Sequence, residues 1–214
     1  MRSQWDMQDR MLDVGTMYCI GRNYAAHAAE MGAVVPTDPI VFIKPPTAYR
    51  PSGSTITLPS WSSDVHHEVE MVIVIGADAD TIDEDDASSI IAGIGVGLDL
   101  TARDVQSAAK KRGEPWAVSK GWKGAAPVSA IQQVALSRSW ELTLEVNGEL
   151  RQRGSTQNME RSVPSLVSYV ASVFGLRAGD AIFTGTPEGV ASLKRGDHAV
   201  ARLGDLSTLD VRFA

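Results

Sequence analysis

The stretch DVHHEVEMVIVIG, residues 64–76, decides the reading of this chain. From Val69 to Ile75 it is a β-strand so apolar that both faces must be covered. Yet Glu68 and Glu70 stand at its start. Side chains alternate faces along a strand, so the two carboxylates leave from one face, which Val72 and Val74 continue. Two adjacent carboxylates withdrawn from water repel each other and lose hydration, which pushes one of them to protonate. A divalent cation removes both difficulties. Hard ions such as Mg2+, Mn2+ or Ca2+ take oxygen ligands, and one strand face supplies two of them. The alternative is an edge strand with two solvated glutamates, the usual fate of surface Glu. The apolar continuation of the same face favours the metal. A third carboxylate has to come from elsewhere. Asp99, an isolated acid after the glycine-rich run GIGVGL (93–98), is the best candidate, because glycines there permit a close backbone approach.

Working outward, TMYCIG (16–21) and PIVFIK (39–44) read as buried strands. Between them Asn23 is a good N-cap, Ala25 to Met31 a helical stretch, and Gly32 its C′ residue. STITL (54–58) alternates. DEDDASSIIA (83–92) reads as a short helix with its acids near the N-terminus, where the helix dipole favours them. Thr101 and Asp104 form a capping-box pattern opening a helix over 102–112 that ends in Lys-Lys-Arg before Gly113. LTLEV-NG-ELRQR predicts a hairpin turning at Asn147–Gly148. PSLVSYVASVFG (164–175) predicts an amphipathic helix started by Pro164 and stopped by Gly175. The tail is strands and turns. The pattern is strand-rich with a few helices and no repeat or linker. Residues 1–15 read as a detachable N-terminal extension and 16–214 as a single domain.

Composition excludes several roles. A net charge of −6, with acids scattered except at DEDD, argues against binding a nucleic-acid backbone. A single cysteine, Cys19, leaves no internal disulfide and fits a reducing compartment. MRSQWDMQDRML at the N-terminus lacks the apolar segment of a secretory signal. No apolar run approaches the ~18–20 residues needed to span a bilayer. The expectation is a soluble, cytoplasmic protein with no membrane partner. GIGVGLDL lacks the third glycine and the βαβ setting of a dinucleotide site.

Three further groups carry chemistry. In GRNYAAHAAEMG, His27 and Glu30 are i and i+3 on one helix face. A carboxylate that accepts one imidazole N–H leaves the other nitrogen as a base; a solvated surface pair is the plain alternative. Arg103 and Gln106 are likewise i and i+3, and Lys120 follows in WAVSKGWKGAAPVS. Near an anionic metal site, Arg103 and Lys120 are cations for an anionic substrate, whereas Lys110, Lys111 and Arg112 read as a solvated helix end. In FTGTPEGV, Thr184 and Thr186 offer hydroxyls, though a simple turn explains them equally.

Taken in order, GRNYAAHAAEMG, IKPPTAY, HHEVEMVIVIG, GLDLTARDVQ, PWAVSKG, GAAPVS, VNGELRQ and TGTPEGV resemble the fumarylacetoacetate hydrolase family. The resemblance runs from about Met17 to the C-terminus and is nearest to the small single-domain acylpyruvases and fumarylpyruvate hydrolases. It implies an α+β, β-rich fold of mixed sheets with few short helices, a homodimer, and a Mg2+ or Mn2+ ion. It assigns Glu68, Glu70 and Asp99 as metal ligands, and His27 with Glu30 as a catalytic dyad on a lid. It places Arg103, Gln106, Lys120 and Thr186 against the substrate. Lys120, with Gln106, would meet the developing oxyanion. The activity implied is cleavage of 3-acylpyruvates to pyruvate and a carboxylic acid, on a small anionic 2-oxo acid substrate. The alternative is an oxaloacetate decarboxylase, tautomerase or hydratase-type enzyme using the same chelate. A non-catalytic carboxylate binder is disfavoured, because a binder needs no oriented base. Trp122 and Lys123 depart from the family pattern and are expected to alter what the far end of the substrate meets.

Overall fold

The strand Val69–Ile75 is buried along its whole length and lies at the centre of a seven-stranded sheet. The computed structural model describes residues 3–8, 11–30, 32, 34–136 and 138–214. Across the large sheet the order is Ile40–Lys44, Met17–Gly21, Ala181–Phe183, Val69–Ile75, Ile91–Leu98, Ala126–Val128 and Tyr49–Pro51. A five-stranded sheet runs Glu149–Ser155, Glu141–Val146, His198–Leu203, Ser207–Phe213 and Thr55–Ile56. A third, of three strands, joins Ala191–Leu193, Val65–His67 and Thr101–Ala102. The sheets differ as their sequences do. Ser207–Phe213 alternates buried and exposed residues, the mark of one covered face, whereas Val69–Ile75 is covered on both. Burying each Val or Ile of such a strand contributes about 1.5–3 kcal/mol, enough to hold polar groups at its end against their own preference for water.

The helices are α1 (Ala25–Glu30), α2 (Arg103–Arg112), α3 (Ala117–Lys120) and α4 (Val163–Phe174). Mixed sheets with few short helices are the α+β fold expected. Local signals explain several boundaries. The Ser162 hydroxyl accepts the Ser165 N–H, and Pro164 sits in the first turn of α4. Gly113 ends α2 at φ 68° in the left-handed region. Asn147 and Gly148 make the hairpin turn at φ 55° and 80°.

Three local expectations fail. Residues 84–90 form a 3₁₀ helix, not an α-helix. The capping box does not form, because Thr101 is drawn into the three-stranded sheet and its hydroxyl donates to Asp99 O. Asp104 instead accepts from Ser62 Oγ and Ser63 N. Asn23 does not cap α1. Its amide donates to Thr184 O at 2.8 Å and Arg161 O at 3.2 Å, and its oxygen accepts the Arg161 N–H. Met31 lies outside the described residues.

The N-terminal segment packs onto the rest of the described chain. Trp5 is buried, its indole N–H donates to Gly179 O at 2.8 Å, and its ring packs edge-on against Tyr49. Val14 is buried beside it in the same core. The glycine reading of 93–98 holds in a specific form. Gly93, Gly95 and Gly97 alternate, and a Cβ on any of them would come within 3.0 Å of residues crossing that face, among them Gln132, Ser129 and Phe183.

Candidate metal and substrate site

Register alone brings the three carboxylates together. Val69 pairs with Leu98 and Glu70 with Gly97, so the next step sets Glu68 opposite Asp99, and Asp99 N–H donates to Glu68 O at 2.8 Å. Ligand oxygens of Glu68, Glu70 and Asp99 lie within 4.8 Å of one another, all three residues buried. They line a cavity of about 60 Å³ together with His27, Arg103, Gln106, Lys120 and Thr186. Eight residues expected from the sequence therefore share one cavity, and Glu30 stands behind His27 outside its lining.

The carboxylates are not left unneutralised, as the sequence suggested they would be without a metal. Lys120, ending α3, places Nζ 2.8 Å from Glu68 Oε2 and 2.5 Å from Asp99 Oδ2. Arg103 pairs with Glu68 Oε1 and donates to Gln106 Oε1 at 2.8 Å. Burial alone would raise the Glu68 carboxyl, but Lys120 and Arg103 outweigh it and hold it well below the usual carboxylate range. Burial opposes the charge on Lys120 too, and Asp99 and Glu68 reverse that and raise it. Glu70 is the exception. No described residue forms an ion pair with it, and it accepts the Gly185 N–H at 2.7 Å on Oε2. Burial, then the charges of Asp99 and Glu68, push its carboxyl well above its ordinary value.

A buried lysine that sequence reasoning did not single out completes the floor. Lys44, fully buried at the end of its strand, donates to Leu100 O and Ala125 O at 3.2 and 3.1 Å, and to Lys120 O. Its ammonium lies 2.8 Å from Asp99 Oδ1 as an ion pair. Its three N–H groups are spent on those carbonyls, so Asp99 Oδ1 takes no directed hydrogen bond. A buried carboxylate oxygen with a free lone pair, beside a carboxyl driven to protonate, suits a hard divalent cation.

The roof is α1. His27 is only 7% exposed, while its partner Glu30 reaches solvent. Its Nδ1 lies 3.2 Å from Glu30 Oε2. Glu30 also accepts the Gly189 N–H at 3.1 Å, so the helix is latched onto the TPEGV turn. Of the two threonines in that segment, Thr186 lines the cavity and accepts from Gln152 at 2.9 Å. Thr184 turns its hydroxyl to Met71 O. Trp122 and Lys123 do not reach the site. They line a separate cavity of about 630 Å³ with Arg50, Trp61 and Arg195. Lys110, expected to be solvated, lines the site cavity with its Nζ 5.0 Å from the Trp116 ring, and Arg22 joins it there. The i, i+3, i+7 spacing of Arg103, Gln106 and Lys110 carried that signal, masked by the run Lys-Lys-Arg.

An acidic triad with compensating cations beneath a histidine–glutamate pair, on a β-rich mixed-sheet frame, describes a small-molecule site of the metal-assisted kind. The chain belongs to the fumarylacetoacetate hydrolase family: residues 16–214 match its model, described as "Fumarylacetoacetate (FAA) hydrolase C-terminal". It is 45% identical over 211 residues to Oxaloacetate tautomerase FAHD1, mitochondrial, of Arabidopsis thaliana, covering 97% of this chain and 94% of that protein. It is 41% identical over 204 residues to Oxaloacetate tautomerase YcgM of Escherichia coli K12, covering 92% and 93%. Among solved structures it resembles fumarylpyruvate hydrolase from Pseudomonas aeruginosa in complex with Mn2+ and pyruvate. That likeness has a TM-score of 0.94 at 36% identity and covers 100% of this chain and 97% of the other.

Proposed function

We propose that this chain is a divalent-metal-dependent enzyme that interconverts the keto and enol forms of oxaloacetate. The observation that carries the reading is the placement of an oriented base, His27, and a cationic floor, Lys120 and Arg103, on one small cavity with the triad. The relatives named oxaloacetate tautomerase at 41–45% identity support it over acylpyruvate hydrolysis. Glu68, Glu70 and Asp99 would hold a Mg2+ or Mn2+ ion. Such an ion polarises a 2-oxo group and offsets negative charge developing on its oxygen.

The protein residues supply the proton steps. Glu30 accepts the His27 Nδ1–H and leaves the other ring nitrogen, Nε2, as the base. Nε2 takes a proton from C3 of the substrate; the C–H electrons become the C2–C3 double bond, and the carbonyl electrons move onto oxygen. The Lys120 ammonium, held beside the triad, stabilises that oxygen, and the same proton returned from Nε2 to oxygen completes the enol. Reversal gives the ketone. Gln106 and Thr186 position the bound acid. A homodimer is proposed on the family likeness alone, and sedimentation of the purified chain tests it.

Hydrolysis of an acylpyruvate is the second reading, favoured by the likeness to the fumarylpyruvate hydrolase. It asks His27 to take its proton from water instead of carbon. The test compares three rates with Mg2+ present and after chelation: ketonisation of enol oxaloacetate, its decarboxylation, and hydrolysis of acetylpyruvate. Fast metal-dependent ketonisation supports the proposal. Acetylpyruvate hydrolysis without accelerated ketonisation replaces it with the second reading.

A further inference from the structure

Two cations on the site cavity have no work in the scheme above. Arg103 and Lys120 are committed to the triad by ion pairs. Arg22 and Lys110 line the same cavity and form no ion pair with any described residue. The lining therefore holds four cations, Arg22, Arg103, Lys110 and Lys120, against the three carboxylates Glu68, Glu70 and Asp99. A divalent ion would leave it strongly positive. One carboxylate and one developing oxyanion do not balance that charge.

The two are placed for a ligand. Arg22 has φ 60°, a left-handed conformation that a residue with a side chain rarely adopts and that persists only where its surroundings hold it. It directly follows the strand Met17–Gly21 and precedes the roof helix, so the strained residue stands at the cavity's rim. Lys110 lies two turns beyond Arg103 on the same face of α2, about 10 Å further along the axis at 1.5 Å per residue. Helical side chains lean towards the N-terminus, so Lys110 reaches back over the cavity. Its ammonium lies over the Trp116 ring, 5.0 Å from the centroid. Partial burial and then the repulsion of Arg103, Arg22 and Lys120 lower its pKa, the behaviour of a cation in a site that lacks its counter-ion.

We propose that Arg22 and Lys110 form an anion clamp at the mouth of this cavity that takes the distal carboxylate of a dianionic 2-oxo acid. The inference rests on the reading that a 2-oxo acid is bound at the triad, and it names the class of that acid. The triad end takes the carboxylate and oxo group common to all such acids. The clamp selects those with a second negative charge on the far side, and ligands that end in a methyl group leave it unpaired.

The test is equilibrium binding to the Mg2+-loaded protein, by calorimetry, of oxaloacetate and of pyruvate, which lacks the distal carboxylate. His27→Ala in every chain stops turnover. Arg22→Ala and Lys110→Ala should each weaken oxaloacetate about tenfold or more, the scale of a charge-assisted hydrogen bond, and pyruvate less than about twofold. Lys110→Arg should restore most of the difference. Unchanged melting temperature and Mg2+ affinity show that each variant is folded with its floor intact. Equal weakening of both ligands, or of neither, overturns the clamp. Absence of oxaloacetate turnover in the otherwise native enzyme, with the discrimination intact, overturns the proposed activity and leaves the clamp standing.

Discussion

Asp99 and His27 face one cavity but are held in opposite ways. Asp99 is fully buried, with an ammonium on each oxygen and its backbone bonded to the neighbouring strand. His27 hangs from a six-residue helix that meets the rest of the site mainly through Glu30 and the Gly189 N–H. Isolated helices under ~12–15 residues are marginal, so α1 draws its order from that latch and from Ala28 and His27 beneath it. The difference separates two jobs. The floor must hold like charges close together at all times, and rigidity serves it. The roof must let a substrate in and then present a base, so weak attachment serves it.

The largest expected effect breaks the roof without touching the floor. His27→Ala should lower oxaloacetate turnover by about 10²–10⁴-fold while Mg2+ affinity stays near that of the unaltered chain. A parallel loss of Mg2+ affinity would show that roof and floor are one unit. The complementary change strikes the floor. Lys44→Met leaves a buried carboxylate short of a counter-charge and three carbonyls without a donor, and should cost about 3–5 kcal/mol in denaturant unfolding. Glu30→Gln, on the roof, should cost less than about 1.5 kcal/mol by the same measurement. Comparable costs would erase the distinction.

Removing divalent metal should abolish activity. Because Lys44, Lys120 and Arg103 already face the triad, it should not unfold the chain. The stability lost should be close to the binding linkage, about 2.7 kcal/mol at a hundred times the dissociation constant, read from melting with and without Mg2+. Unfolding on chelation would mean the cations do not compensate. Hydrogen exchange compares the two regions directly. Amides of α1 should exchange well ahead of those in Val69–Ile75, and oxalate with Mg2+ should slow α1 alone. Strong protection of α1 in both states makes it a fixed wall.

The smallest effect lies at the foot of α2. Burial nudges the Asp104 carboxyl up, but hydrogen bonds from Ser62, Ser63 and Val105 outweigh it and hold it below its ordinary value. Its folded pKa is depressed, so its contribution is present above the unfolded value and lost as pH falls through the folded one. Asp104→Asn should cost less than about 1 kcal/mol at neutral pH and nothing in acid, measured as unfolding midpoints across that range.

What could be read from the chain divides along the same line. Glu68, Glu70 and Asp99 were legible because polar residues break an apolar strand pattern and a period of two fixes their face. Helical spacing put His27 and Glu30 on one face, but only the family resemblance gave the pair a role, because such pairs are frequent on solvated helices. Lys44 was not legible, because a lysine closing the strand PIVFIK looks like any strand terminus until the folded chain closes three carbonyls around it. Arg22 and Lys110 were not, because unpaired cations are ordinary on a surface, and only the cavity makes them unusual. Trp122 and Lys123 follow Lys120 closely, but the turn closed by Ala125 N–H on Trp122 O sets them in the lining of a different cavity.

Trp5 bears on where this molecule can be cut. The family match begins at Thr16, and sequence kinship taken as a ruler would set the edge of the folding unit there. The packing sets it earlier. A chain shortened to begin at Thr16 would leave an indole-sized hole against Tyr49 and the Gly179 carbonyl unbonded. Losing a buried tryptophan costs about 3–5 kcal/mol, a large share of what keeps a domain folded. Ancestry and cohesion draw different borders on this protein, and Trp5 and Val14 lie between the two.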